Sequence, residues 1–133
     1  MKTIGQIGRI IYGLPFIVFG SFHFMQAQSM AESMLSGWPL AEFLVYLTGV
    51  ALILAGISVV FRIMDKLAML LLGILLFIFV IAIHIPGIIG AADQQAMQQS
   101  MTSLLKDLSL GGAAWFMAAQ FSKEKQPSDI SEQ

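Results

Sequence analysis

The chain has no cysteine, so disulfides, thiolate nucleophiles and Cys-ligated zinc or iron-sulfur centres are excluded within it. Charge is nearly as scarce: Asp, Glu, Lys and Arg make up 11% of 133 residues against 57% hydrophobic residues. Too few polar side chains are present to coat a soluble domain of this length, and the composition is that of a small integral membrane protein. The seven basic residues are scattered and the formal net charge is -1. No basic stripe exists for a nucleic-acid partner, and none is expected. Histidine is limited to two positions, His23 and His84, each near the end of an apolar run.

Apolar runs are what the chain does have. The longest, Leu67 to Pro86 (LAMLLLGILLFIFVIAIHIP), has His84 as its first ionisable group after Lys66. It is long enough to cross a hydrocarbon core. Four spans are predicted, at about 7–25, 43–61, 67–86 and 104–121, the last being the weakest because Lys106 and Asp107 lie in its first turns. The first run has basic residues before it and a loose Ala27-x-Ser29 site after it, as a secretory signal would. The site is poor, so the segment reads as a retained span. Pro15 removes a donor in its middle and predicts a kink or a local rewinding there.

Between the first two spans, Ser29 and Glu32 have capping-box spacing, and Met30, Met34, Leu35 and Trp38 recur at helical intervals. A short interfacial helix is expected, with Gly37 and Pro39 turning the chain back. Arg62, Asp65 and Lys66 make a tight connection between antiparallel second and third spans. Asp93 to Ser103 is polar and carries no assignment, and 122–133 reads as a disordered tail. The fold class is therefore all-α, an up-down bundle of four membrane helices. Six basic residues (Lys2, Arg9, Arg62, Lys66, Lys123, Lys125) fall on one side of that topology and only Lys106 on the other. This asymmetry places both termini in the cytoplasm.

The same topology brings His23, Glu42, His84, Lys106 and Asp107 to one outer level. In each helix the ionisable residue shares a stripe with small residues, for example Glu42, Tyr46, Gly49 and Gly56, or Asp107, Gly111, Ala114 and Ala118. Small residues mark helix contacts in membranes, so the polar groups are expected to point inward. The expected site is an outward-opening pocket lined by His23, Glu42, Tyr46, His84 and Asp107. Simpler roles compete: Glu42 as a helix-start acid, Lys106 as a snorkelling cation, and His84 with Asp107 as an interhelical pair. Arg9 suits a topology determinant. The outer methionines Met25, Met30, Met34, Met97 and Met101 match soft Cu(I) ligands on paper but serve packing more often. Two histidines also equal the axial ligand count of haem, yet no spacing fixes that geometry, and no metal is assigned.

The segments GRIIYGLPFIVFGSFHF and YLTGVALILAGISVVFRIMDKLAMLLL, the H-x-P after the third span, and SLLKDLSLGGAAW resemble the DoxX family of small four-helix membrane proteins. The most specific parts are the layout of Gly49, Gly56 and Arg62 and the LLKDLSLGG entry to the last helix; the match covers roughly residues 5 to 120. The resemblance implies an inner-membrane subunit or accessory protein tied to quinone or sulfur redox systems, or a cargo receptor or assembly chaperone. Many relatives carry an acid two positions after the glycine equivalent to Gly49, where this chain has Ala51.

Two functions are weighed. In one, the pocket binds a quinone or lipid-like ligand, His84 and Asp107 meet its carbonyls, and Tyr46 and Trp115 supply aromatic surface, within a redox complex that has a partner subunit. In the other, the protein is a non-catalytic scaffold, chaperone or lipid-binding module. Proton or solute transport finds no polar relay below His84 within one protomer and would need a homo-oligomeric pore. The short cysteine-free chain favours a bacterial inner membrane.

Overall fold

The computed structural model describes residues 1–124, and most of the tail expected over 122–133 lies outside the described residues. Every regular element among them is helical. In chain order these are α1 (Lys2–Met25), α2 (Ala27–Met34), α3 (Ala41–Phe61), α4 (Asp65–Phe79), a π-helical turn (Val80–His84), α5 (Ile85–Ile89) and α6 (Gln94–Glu124). Three helical stretches are long and apolar enough to cross a membrane: Lys2–Met25, Ala41–Phe61 and Asp65–Ile89. Large apolar side chains cover their outward faces, such as Leu47 and Leu54 on α3 and Ile74, Ile78 and Ile81 on α4 and the π turn. Such a surface suits lipid rather than water.

The helix that carries the expected fourth span, α6, is less apolar but longer than predicted. Asp93 Oδ1 accepts the Ala96 N–H at 2.7 Å, which caps the helix and starts it at the edge of the polar segment that the sequence left unassigned. It also continues through residues 122–124, which were expected to belong to the tail.

Helices pair through notches left by missing side chains. Gly13 and Gly20 of α1 lie against Gly56 and Gly49 of α3, and a Cβ added to Gly20 would fall 2.6 Å from the Gly49 carbonyl oxygen. The descending partner order makes this an antiparallel seam in which backbone meets backbone. On the other side, Trp115 of α6 fills the notch at Gly73 of α4, and Phe77 of α4 fills the notch at Gly111 of α6. The two rings meet edge-on at 4.7 Å, and Trp115 Nε1–H donates to the Leu70 carbonyl at 3.2 Å. Phe16, Leu52, Ala55, Val59, Met69, Leu72, Leu76, Ala114 and Ala118 form the dry core that joins the two pairs. Tyr12 adds a polar clamp, its hydroxyl donating to the Leu110 carbonyl at 2.6 Å.

Two local expectations are corrected. Helix α1 continues through Pro15 without interruption; the irregular turn lies instead at Val80–His84, directly before Pro86. A proline clashes with the preceding turn of a regular helix, and the wider π turn, closed by Ile85 N–H on the Val80 carbonyl, relieves that crowding. The Ser29–Glu32 capping box does not form, because α2 starts at Ala27, two residues earlier, with Gln26 as its cap. Glu32 accepts from Gln28 Nε2 instead, at 3.1 Å. The buried face of α2 is Ala27 and Ala31, which with Leu35 pack on Val45 of α3.

The α3–α4 connection is as tight as expected. Ile63 N–H closes on the Ser58 carbonyl at 3.0 Å, with Arg62 in the left-handed conformation at φ 60°. Asp65, expected as part of that tight connection, is buried to 1% exposure, a placement that its charge gave no reason to foresee. Its carboxylate accepts the Lys66 N–H at 3.0 Å and pairs with Arg62 Nε at 3.6 Å.

Candidate functional site

The seams close each helix pair, but at the end of the molecule where α2 lies the two pairs are not in full contact. A cavity of about 280 Å³ opens there. Helix α1 contributes three aromatic rings to its wall, Phe16, Phe19 and Phe22, while Met30, Met34 and Leu35 come from α2 and its end. Val45, Thr48 and Leu52 recur at helical spacing on α3, and Leu76, Phe79 and Ile83 line the opposite side. Bulky side chains thus occupy positions at this level where the seams have glycines. The wall is mostly apolar with a few polar groups gathered in it, the usual make-up of a small-molecule site.

Four of those polar groups are ionisable: His23, His84, Lys106 and Asp107. His84 Nε2 lies 2.8 Å from Asp107 Oδ2, with side-chain exposures of 13% and 7%, so the pair is largely withdrawn from solvent. With Asp107 ionised, Nε2–H donates and the imidazole's other nitrogen, Nδ1, has no hydrogen-bond partner among the described residues. The π turn ends at His84, so this irregularity sets where the imidazole falls relative to the rest of α4. Lys106 sits beside the pair: its Nζ is 3.6 Å from Asp107 Oδ1 and 5.0 Å from the centre of the Phe19 ring. A cation held between a carboxylate and an aromatic face ties α6 to α1 across the cavity mouth. His23 Nδ1–H donates to the Phe19 carbonyl at 2.7 Å, which fixes the ring and leaves Nε2 without a partner among the described residues.

Of the five residues expected in the pocket, the structure brings His23, His84 and Asp107 to one cavity and leaves Glu42 and Tyr46 outside its lining. The reason is helical phase. Glu42 and Tyr46 share the stripe of Gly49 and Gly56, which is taken up by α1, whereas the cavity faces Val45, Thr48 and Leu52. Tyr46 OH instead donates to Glu42 Oε1 at 3.4 Å, and its ring lies 5.5 Å from that of Phe24. Trp115 is likewise outside the lining, held in the Gly73 notch. Thr48, Ser103 and Lys106 line the cavity without having been predicted there. For Thr48 a signal existed: it is the polar residue on the Val45–Leu52 stripe. Among the described residues no group of three or more His, Asp or Glu side chains is placed to hold a metal ion.

Comparison with protein-family models, with curated proteins and with solved structures returns no match. The chemistry of the cavity therefore rests on its own residues.

Proposed function

We propose that the protein is a membrane-embedded binding protein whose cavity takes a quinone or another lipid-like molecule with a polar head. In this reading α6 completes a four-span bundle, both termini face the cytoplasm of a bacterial inner membrane, and the cavity opens toward the outer side. The six-to-one division of basic residues supports the orientation. The observation that carries the binding reading is the cavity itself, apolar over most of its wall, with the His84–Asp107 pair and Lys106 at one side. An apolar chain or ring can lie among Phe16, Phe22, Leu52 and Leu76 while its head reaches the polar groups. The resemblance to the DoxX family makes a quinone the first ligand to seek and a redox subunit the first partner to seek.

A scaffold or chaperone role is the second reading, and one contact favours it: both oxygens of Asp107 are engaged by protein cations or donors, as a pair that only fixes helix register would be. The two readings separate by mass spectrometry of organic extracts from protein purified in native nanodiscs. Binding predicts a stoichiometric quinone or other isoprenoid in the wild type that is lost in a folded Thr48→Trp variant, whose indole fills the cavity. Bulk phospholipid alone in both samples would defeat the binding reading and turn the search to protein partners.

A further inference from the structure

We infer that the cavity selects a single-chain amphiphile with an anionic head, carboxylate or phosphate, through Lys106. This rests on the cavity being a ligand site and takes a charged lipid rather than a quinone as its occupant. The wall carries one carboxylate, Asp107, against one ammonium, Lys106, and two imidazoles, His23 and His84. The carboxylate is partly engaged, with Oδ2 on His84 at 2.8 Å and Oδ1 beside Lys106 at 3.6 Å. A cationic head would face an ammonium and two imidazoles with this one shared carboxylate to offset them.

The donors are not spent. At 3.6 Å the Lys106 contact with Asp107 is an ion pair rather than a close hydrogen bond, and no other acceptor engages the ammonium among the described residues. The Phe19 ring lies 5.0 Å away on the α1 side, and the lysine side chain is 48% exposed. The Ser103 hydroxyl, about one helical turn away on α6, and the Thr48 hydroxyl across the cavity also lack hydrogen-bond partners among the described residues. A cation with free N–H groups on the same cavity wall as two donor hydroxyls suits an acceptor-rich anion, which gains charge-assisted hydrogen bonds that a neutral head does not. At about 280 Å³ the space is at the lower limit of ordinary ligand pockets, which favours one chain over the two chains of a bilayer phospholipid.

The test is binding of radiolabelled dodecanoate, dodecyl phosphate and dodecanol to the full chain in zwitterionic nanodiscs, with empty nanodiscs subtracted. At least one anion should bind about tenfold tighter than dodecanol, and the tighter of the two assigns the head. Lys106→Gln should weaken the anions about tenfold while leaving dodecanol unchanged, and Lys106→Arg should keep most of the anion affinity. Equal binding of dodecanol and the anions, or anion binding indifferent to Lys106→Gln, overturns the anionic head while the cavity reading survives. Binding of all three that is unaffected by Thr48→Trp, or no binding at all, overturns the cavity reading itself.

Discussion

The two ends of the helix core are built on different rules. Toward the α3–α4 connection, Val59, Met69 and Ala114 have no exposed surface, and the helices meet through side chains that leave no space between the pairs. Toward α2, phenylalanines and methionines stand where small residues would have let the helices close, and a cavity with His23, His84, Lys106 and Asp107 results. Within a bilayer, helices are not pressed together by exclusion of water, so close packing and interhelical hydrogen bonds decide where they touch. The closed end is therefore where substitutions should damage the fold, and the open end is where they should change binding.

The largest expected effect breaks the closed part of this contrast. Gly13→Leu drives a side chain into the Gly56 backbone and Val60 and should cost about 3 kcal/mol, read as loss of monodisperse protein after detergent extraction. Gly8→Leu, where nothing lies within 4 Å, should change stability by no more than about 0.5 kcal/mol. Equal behaviour of the two would remove the glycine seam from the account. Next in size is Asp107→Leu, which strips His84 of its partner and should lower unfolding free energy in bicelles by about 1 kcal/mol. Adding His84→Phe should recover much of that loss, since an apolar pair leaves no orphaned donor. Failure of the second change to recover stability would mean that the pair does not act as a unit. The smallest effect sharpens the boundary of the site: Glu42→Gln and Tyr46→Phe should leave ligand retention unaltered and stability within about 0.5 kcal/mol, because that pair is exposed and outside the cavity wall. Loss of retained ligand in either would put α3's glycine stripe back into the site.

Much of this was legible in the sequence and some was not, for definable reasons. Apolar runs located α1, α3 and α4 because span length is fixed by bilayer thickness, and the His84–Asp107 meeting followed from placing both residues at one level of antiparallel helices. Helical phase was the weak step. A stripe of small residues shows where a neighbour comes closest, and for α3 that neighbour was α1; the cavity wall lay on the adjacent stripe of Val45, Thr48 and Leu52. Capping was misread: Asp93, in a segment given no assignment, caps α6 with its own carboxylate, whereas the Ser29–Glu32 spacing was overridden when Ala27 and Ala31 packed against α3 and carried the helix start back to Gln26. The π turn was not readable at all from periodicity, although Pro86 was its visible cause.

The most direct test of the central contrast uses the absence of native cysteine. Single cysteines at Ser103, on the cavity wall, and at Ala114, in the dry core, lie on the same helix, and their reaction rates with N-ethylmaleimide can be compared in intact membranes. Ser103→Cys is predicted to react much faster than Ala114→Cys, and to lose that advantage when Thr48→Trp fills the space across from it. Equal rates at the two positions, or labelling of Ser103→Cys that is indifferent to Thr48→Trp, would contradict an open cavity at one end of a closed core.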